Sequence, residues 1–210
     1  MAISSLLNYT VPLSGGGQSS TSQGLLMPKL KYRFRVSFIG FGASNATFEM
    51  TKQVVTAARP SVSFENVELN VYNSKINYAG KYTWDPVQIV LRDDVSNSVS
   101  KLVGQQIQKQ FDFFEQSSAA AGSDYKFQMN IDILDGGGGA NAPTVLETFE
   151  LYGCYIKKSA YEQGDYKSSD AMQITLDVQY DNALQTDSAG NLSGIGVAVA
   201  RATSNVLATS

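Results

Sequence analysis

The stretch that decides the fold runs from Ala57 to Asp94 and reads AARPSVSFENVELNVYNSKINYAGKYTWDPVQIVLRDD. Its first half alternates apolar and polar residues, with the apolar ones at Val62, Phe64, Val67, Leu69 and Val71. The alternation slips near Asn66, which indicates a β-bulge. A polar turn at 73–75 follows, and a return strand continues into another β-prone run over 82–92. The stretch therefore predicts a long β-hairpin followed directly by a further strand.

The same two-residue period recurs on both sides of this stretch. It is present at 31–38, 125–134 and 172–180, and residues 145–157 are apolar and rich in strand-forming residues. We count six or seven strands in all. Because strands follow strands along the chain, we expect the sheets to be mainly antiparallel.

One segment has helical periodicity instead. Its apolar residues recur at steps of three, four and seven, at Val95, Val99, Leu102, Val103, Ile107, Phe111 and Phe114. Asp93 or Asp94 can cap the N-terminus of such a helix. We predict one long helix over about 94–117. Because one helix cannot cover both faces of a sheet, the predicted fold is mainly β (α+β): an antiparallel β-barrel or sandwich of two packed sheets with that helix beside it.

The ends of the chain differ in composition from its middle. Residues 14–24 are rich in Gly, Ser and Thr, and the last residues are mostly small, with an apolar patch at 195–199. We predict a flexible N-terminal arm over 1–29, a β domain over 30–182 and a flexible C-terminal tail over 183–210. Either end can order against a neighbour. The run Gly136–Gly139 is interpreted as a flexible hairpin loop.

Charge is scarce and unevenly distributed. Charged residues make up 17% of the chain, against about 25% in an average domain, which suggests that much of the exterior meets other protein. The net charge of −3 lacks the basic footprint of a nucleic-acid-binding protein. Residues 1–92 carry a net +5 and residues 124–187 a net −7. These halves either complement each other across a head-to-tail contact or reflect ordinary uneven surface charge.

The residues needed for common catalytic chemistry are missing. The chain has no histidine and one cysteine, which excludes a Ser–His–Asp triad, a Cys–His pair and an intrachain disulfide. Cys154 lies in an apolar strand and is expected to be a buried, inert thiol. The Gly136–Gly139 run is followed by Pro143 and a strand rather than a helix, so it is not a dinucleotide site. We predict no enzyme activity, no cofactor and no metal.

No apolar run approaches the roughly 20 residues needed to cross a bilayer. The first thirteen residues also lack the charged start and apolar core of a secretory signal. We therefore expect a chain that is made in a cytoplasm and does not enter a membrane.

Two strands present unusually hydrophilic faces. They consist of Lys126, Gln128, Asn130 and Asp132 on one strand, and Gln173, Thr175, Asp177 and Gln179 on the other. Such faces are either ordinary solvent faces or the wall of a water-filled channel built by several subunits. A neutral or acidic wall suits the passage of DNA, because it does not bind phosphate as a basic wall would.

The stretch Ala57–Asp94, followed by a long helix, resembles the major tail tube proteins of contractile-tailed bacteriophages. The closing run ITLDVQYDNA at 174–183 is similar to the last strand of that family. The resemblance covers element order over about 30–182 and extends to the tubes of other contractile injection systems. It implies two antiparallel sheets closed into a barrel beside one helix. It also implies hexameric rings, stacked head to tail, whose strands line a central channel.

The resemblance further implies a set of partners and a location. The partners are other copies of the chain, a tail sheath protein, and baseplate and tail terminator proteins. DNA and a tape-measure protein pass through the channel without specific binding. The location is the tail tube of a virion that is assembled in the host cytoplasm.

The predicted hairpin carries aromatic and basic residues near its turn: Tyr72, Lys75, Tyr78, Lys81 and Trp84. Aromatic side chains are frequent anchors of protein interfaces. These residues either pack on the core or contact a neighbouring subunit, and our hypothesis is that the hairpin contacts the adjacent ring.

Three alternatives to a phage tail tube remain open. The chain can be the tube of a secretion or injection apparatus, or a baseplate tube-initiator, because these share one fold. A carbohydrate-binding β-sandwich module is the alternative from another class. An enzyme is the third and would need a catalytic carboxylate.

Overall fold

The computed structural model describes residues 28–43, 48–137 and 142–198. The chain divides into a first unit, residues 1–33, and a second unit, residues 34–210. In the first unit the Arg33 N–H donates to the Leu30 carbonyl, and the Arg33 guanidinium lies 5.4 Å from the centre of the Tyr32 ring. Most of the predicted N-terminal arm, the last residues of the predicted tail and part of the 136–139 loop lie outside the described residues.

Within the described residues, the second unit contains eleven strands and two α-helices. In chain order they are β1 (Phe34–Ile39), α1 (Phe48–Gln53), β2 (Val54–Ala57), β3 (Ser61–Val71), β4 (Ser74–Asp85), β5 (Val87–Arg92), α2 (Ser98–Gln110), β6 (Phe111–Asp112), β7 (Ser117–Ser118), β8 (Phe127–Leu134), β9 (Val145–Tyr161), β10 (Gln173–Gln179) and β11 (Asn182–Asp187).

Seven of the strands form one antiparallel sheet in the order β1-β8-β9-β10-β5-β2, with β11 also paired to β9. β3 pairs only with β4, and β6 only with β7. The predicted mainly β fold with antiparallel pairing is confirmed. The predicted closure into a barrel is wrong, because the end strands β1 and β2 of the described sheet are not hydrogen bonded to each other.

The core lies on one face of this sheet. β10 shows the pattern most clearly, because Ile174, Leu176 and Val178 are buried while the residues between them are half-buried. α2 packs on the same core through Val99, Leu102 and Val103. The alternating strand residues therefore form one continuous core, as their period of two predicts.

The helix α2 is shorter than the predicted 94–117 at both ends. It begins at Ser98, where the Asp94 carboxylate accepts the Ser98 N–H at 2.9 Å and the Ser98 hydroxyl. These hydrogen bonds, that of the Ser98 hydroxyl first, lower the pKa of Asp94. The N-cap residue itself is Asn97, whose side chain makes no capping hydrogen bond, so Asp94 binds the start of the helix from the preceding turn. The helix ends at Gln110 because Phe111 adopts an extended conformation and starts the β6–β7 hairpin.

Two glutamines of α2 hold the helix against the sheet and its loops. Gln106 is fully buried, and its side chain accepts the Gly42 N–H at 2.9 Å and donates to the Tyr125 carbonyl at 2.6 Å. Gln110 accepts the Ile156 N–H and donates to the Ile156 carbonyl, both at 2.9 Å. Its amide thus pairs with the edge of β9 as a neighbouring strand would, just beyond Cys154, which pairs with Phe127 at the start of β8.

β9 is the strand that joins the two halves of the sheet. Its first part pairs with β8 on one edge and β11 on the other, and its second part pairs with β10. The change of partner falls at Gly153, which has φ of +66°. A Cβ built on Gly153 would lie 2.8 Å from Cγ of Asp181 and overlap its carboxylate. Only glycine therefore allows β9 to bend here while Asp181 packs over it.

The strand β11 lies inside the segment predicted to be a flexible tail from residue 183. It continues the register of β10 along β9, since Gln179 lies opposite Tyr155 and Asn182 opposite Tyr152. Residues beyond it fold back on β11: the Gln185 N–H donates to the Ile195 carbonyl at 2.9 Å. Ile195 is thereby packed against the core.

We predict that Gly153→Ala lowers the free energy of unfolding by at least about 2 kcal/mol, because the new Cβ meets Asp181 and the backbone has a positive φ. Gly104→Ala is the matched control. It lies in α2, and its Cβ would meet nothing within 4 Å, so it should stabilise by up to about 1 kcal/mol. Urea unfolding followed by circular dichroism measures both, and equal effects of the two substitutions would contradict the role assigned to Gly153.

Candidate assembly surfaces

The β3–β4 hairpin is paired only with itself within the described structure. A two-residue turn, Tyr72–Asn73, joins its strands, and Tyr72 adopts a positive φ of 46° there. Most of its residues are exposed. A two-stranded ribbon of this length with exposed apolar side chains is unfavourable in an isolated subunit and is typical of a surface that a partner covers.

The apolar face of this hairpin changes sides along its length. Near the base, Val62 lies opposite Trp84 and Phe64 opposite Tyr82. Near the tip, the apolar pairs are Val67–Tyr78 and Leu69–Ile76. On β3, positions 64 and 67 are three residues apart, and because strand side chains alternate, they lie on opposite faces. The predicted bulge near Asn66 is confirmed by the register shift between Phe64 and Asn66. β4 has one residue more than β3 at this point, so the two strands stay paired on both sides of the bulge.

Polar contacts agree with this assignment of faces. Lys75 forms an ion pair with Glu68 at 2.7 Å, and Asn66 donates to Asn77 at 3.4 Å, all on the face opposite the apolar tip. Gly80 sits at the bulge, where a Cβ would lie 2.9 Å from Cγ2 of Val67. The absence of a side chain at Gly80 lets the two strands approach closely at the point where the faces change.

The structure separates the predicted contact residues of the hairpin into two groups. Tyr72, Lys75, Tyr78 and Lys81 are exposed, with Tyr72 fully so. Trp84 is buried, at 8% exposure, with its ring centre 5.4 Å from that of Tyr180. Four of the residues are thus available to a neighbouring subunit, and Trp84 is part of the core.

The base of the hairpin forms one wall of an open apolar groove of about 290 Å³. Its lining residues are Val62, Phe64, Tyr82, Trp84 and Ile195. Ile195 comes from the segment that folds back on β11, so the groove is assembled from two distant parts of the chain. The indole N–H of Trp84 is buried and has no acceptor in the described part of the chain.

The polar residues of β8 lie in a row on the face away from the core. Asp132 is nearly buried and accepts two hydrogen bonds from Arg35 of β1, at 2.6 and 2.9 Å, and one from Thr148 of β9. Gln128 donates to Asn130 at 3.1 Å. The carboxylate in this row is therefore neutralised by a partner on the neighbouring strand.

Lys126 precedes this row and pairs with Asp181 at 2.5 Å. The hydrogen bond to Asp181 raises the pKa of Lys126, and partial burial opposes it. Both side chains lie beside the bend at Gly153, so this ion pair helps to hold the bend.

The polar residues of β10 lie on the other side of β9 from those of β8. Gln173, Thr175 and Asp177 are half-buried, and Asp177 accepts a hydrogen bond from Gln88 of β5 at 3.4 Å. Gln179 donates to the Trp84 carbonyl at 2.9 Å. The two predicted polar faces thus belong to one sheet, and both lie on its side away from the core. They are not adjacent, because β9 lies between β8 and β10.

Sequence periodicity missed one exposed aromatic cluster. Phe111, Phe113 and Phe114 surround the β6–β7 turn, with the rings of Phe111 and Phe113 5.3 Å apart. Phe111 and Phe114 fit the helical pattern, which is why they were assigned to the helix core. Asp112 between them was the signal against a helix, since its carboxylate accepts the N–H groups of Phe114 and Glu115 in the turn.

The one cysteine of the chain is buried and lies on none of the surfaces just described. Burial raises the pKa of the Cys154 thiol to about 12, so this thiol stays protonated at neutral pH. No group of three or more His, Cys, Asp or Glu side chains that could hold a metal ion occurs in residues 28–43, 48–137 and 142–198. In the same residues, none of the helices has the length and apolar character to cross a membrane.

The open antiparallel sheet, the helix α2 and the long unpaired hairpin define a class of proteins: the chain has the fold of components of contractile injection systems. A chain of the anti-feeding prophage baseplate, from a sixfold-symmetrised cryo-EM structure, is 12% identical with a TM-score of 0.57, covering 78% of this chain and 99% of that one. A chain of the anti-feeding prophage tube-terminating cap gives the same identity and TM-score over 78% and 94% of the two chains.

A third similar structure is a chain of the sheath–tube complex of an extracellular contractile injection system, PVC. It is 13% identical with a TM-score of 0.51, over 76% of this chain and 92% of that one. No protein-family profile matches the sequence, and no curated protein matches it. At these identities the comparisons establish a shared fold, and they confirm the resemblance to tube proteins at that level.

We predict that Trp84→Ala lowers the free energy of unfolding by about 3–5 kcal/mol, because it removes a large buried side chain. Tyr72→Ala, at a fully exposed position of the same hairpin, should change it by less than about 0.5 kcal/mol. Urea unfolding is followed by circular dichroism rather than by tryptophan fluorescence, because Trp84 is the chain's single tryptophan and the variant lacks it. A small effect of Trp84→Ala would contradict its assignment to the core.

Proposed function

We propose that the chain is the tube subunit of a contractile injection system, which self-assembles into stacked hexameric rings. The observation that carries this proposal is the fold shared over 78% of the chain with components of such machines. The sixfold symmetry reported for one of those assemblies supports a hexamer. The role is structural rather than catalytic, in keeping with a protonated, buried Cys154.

Contacts between rings are assigned to the β3–β4 hairpin. Its exposed aromatic and apolar side chains gain free energy when a neighbour covers them, at roughly 25 cal/mol per Å² of apolar surface. Tyr72 and Tyr78 at and near the turn are the proposed anchors, and Lys75 and Lys81 flank them. A head-to-tail contact of this kind repeats without limit along a tube.

The polar face of the sheet is the proposed wall of the channel. On it lie the side chains of Lys126, Gln128, Asn130 and Asp132, and of Gln173, Thr175, Asp177 and Gln179. Its carboxylate Asp132 is paired with Arg35, and Lys126 is paired with Asp181. Because Lys126 is paired and Asp177 is a further carboxylate, which repels phosphate, this wall offers few groups that would bind DNA. Cargo can therefore slide past without being held.

We further propose that the tube lies inside a contractile sheath and meets baseplate and terminator proteins at its ends. The similar structures are chains of a baseplate, a tube-terminating cap and a sheath–tube complex, which supports these partner classes. A phage tail tube that delivers DNA, assembled in the host cytoplasm and carried in the virion, is the specific form that we favour from the sequence resemblance. The alternative form is the tube of a secretion or injection apparatus, or a baseplate tube-initiator, and the fold shared with a chain of an extracellular contractile injection system supports it.

Negative-stain electron microscopy of the purified protein at high concentration tests the proposal. We expect rings of uniform diameter with a central channel, and tubes made of stacked rings. The double substitution Lys75→Ala and Tyr78→Ala should leave rings but shorten or abolish tubes, since it removes side chains from the hairpin only.

Three results would each count against one part of this proposal. Particles that stay monomeric at every concentration and salt would contradict self-assembly. Full-length tubes from the Lys75→Ala and Tyr78→Ala protein would contradict the role of the hairpin while leaving the tube itself intact. Retention of double-stranded DNA on the assembled tubes at physiological salt would contradict the non-binding wall.

A further inference from the structure

The β3–β4 hairpin carries two apolar surfaces that face opposite ways. The tip surface consists of Val67, Leu69, Val71, Ile76 and Tyr78. The base groove is lined by Val62, Phe64, Tyr82, Trp84 and Ile195. Both surfaces lack charged side chains. The change of face between them is built into the hairpin by the spacing on β3 and the bulge on β4.

The tip surface is largely exposed in the part of the chain that the structure describes. Leu69, Ile76 and Tyr78 are each more than half exposed, and Val71 is 44% exposed. The opposite face of the tip is polar and has its own partners, including the Glu68–Lys75 ion pair. Only one face of the tip therefore needs a partner, and that partner has to be apolar.

The base groove has the properties of a receptor for such a face. Its walls are apolar, and one wall, Ile195, is held in place by backbone hydrogen bonds to β11. Phe64 and Tyr82 are exposed although they flank the buried Trp84, so the groove is incompletely filled. The unpaired Trp84 N–H would also be stabilised if covering backbone supplied an acceptor.

We propose that the tip surface of one copy docks in the base groove of the next copy. This inference rests on the proposed function and names both sides of the contact between layers, including Ile195 from outside the hairpin. The occupant is a second copy because the same rigid hairpin supplies both an uncovered apolar face and an unfilled apolar groove.

The opposite orientation of the two surfaces fits this arrangement. Two copies related by translation along the hairpin keep the same orientation, so a tip meets a neighbour's base only if the two apolar surfaces face opposite directions. A hairpin strand of 11 residues spans roughly 36 Å at about 3.3 Å per residue, which is long enough to bridge two layers. A contact between two different surfaces of one chain is heterologous and forms an open stack.

Two substitutions block the two surfaces separately. Ile76→Lys places a charge on the tip surface and leaves the groove intact, and Phe64→Glu places one in the groove and leaves the tip intact. Each protein alone should require at least about 30-fold more protein to form stacks than wild type. Asn77→Lys is the matched control, because it adds the same charge one residue away but on the polar face, opposite Glu68. This protein should stack as wild type does.

Mixing the two blocked proteins is the decisive experiment. For the mixture the tip is blocked with Ile76→Glu instead of Ile76→Lys, because a lysine at the tip would pair with the glutamate of the blocked groove. After separate preparation, the Phe64→Glu protein retains a working tip and the Ile76→Glu protein a working groove, so their mixture should give complexes of two layers that do not grow. The double variant Ile76→Lys with Phe64→Glu should regain stacks, because the lysine of one copy meets the glutamate of the next. Sedimentation velocity and electron microscopy measure both, with circular dichroism to show that each protein is folded and Tyr82→Glu as a second groove variant.

The outcomes separate this inference from the proposed function. Wild-type protein that never assembles overturns both. Wild-type tubes together with normal tubes from Phe64→Glu and Tyr82→Glu overturn the base groove as the receptor and leave the tube function standing. Loss of tubes in Phe113→Glu but not in the groove variants would place the tip on the β6–β7 aromatic cluster instead, and would equally overturn the inference.

Discussion

The bend of β9 at Gly153 is the constraint on which the rest of the structure depends. One strand of 17 residues pairs with three others, and it can change partners only where its backbone adopts a positive φ and leaves room for Asp181. The bend brings both halves of the sheet around one core and sets the course of β10 and β11 along one edge. Two side-chain contacts lie close to the bend. Lys126 pairs with Asp181, between β10 and β11, and Gln110 of α2 forms hydrogen bonds with the backbone of Ile156 in β9.

This arrangement leaves the hairpin as the part of the fold that cannot stabilise itself. The seven-stranded sheet buries its apolar side chains in one core, and α2 packs on that core. The Gln106 side chain of α2 forms hydrogen bonds with the backbone of Gly42 and Tyr125. The β3–β4 ribbon, in contrast, exposes apolar side chains and two unpaired strand edges. Exposed edges and apolar ribbons promote association, so the segment that is a liability in a monomer is the natural joint of an assembly.

Local patterns predicted the elements that depend on neighbouring residues. The period of two located the main strands, and the slip near Asn66 located the bulge. Asp94 does bind the first N–H of α2, although the N-cap residue is Asn97. Longer-range contacts decided what the patterns missed. The helix stops at Gln110, whose side chain pairs with Ile156, 46 residues away. Composition made residues 183–187 look like tail, whereas their register along β9 makes them a strand.

The site residues show the same division. Exposure of Tyr72 and Tyr78 follows from their place on a ribbon that the sequence predicts. The burial of Trp84 depends on Tyr180, and the base groove depends on Ile195, both brought in from the far end of the chain. No spacing within the hairpin signals either contact, because a two-stranded ribbon looks the same in sequence whether or not another segment packs on one of its faces.

Ion pairs within the subunit use several of the charges that make the two parts of the chain opposite in sign. The basic first part and the acidic later part of the chain already meet inside one subunit, where Arg35 pairs with Asp132 across 97 positions of sequence. Glu68 and Lys75 pair within the hairpin, and Lys126 pairs with Asp181. Charges used in this way contribute little to contacts between subunits, and exposed pairs are worth less than about 1 kcal/mol each. Apolar surface on the hairpin therefore outweighs the opposed charge halves as the source of free energy for the stacking that we propose.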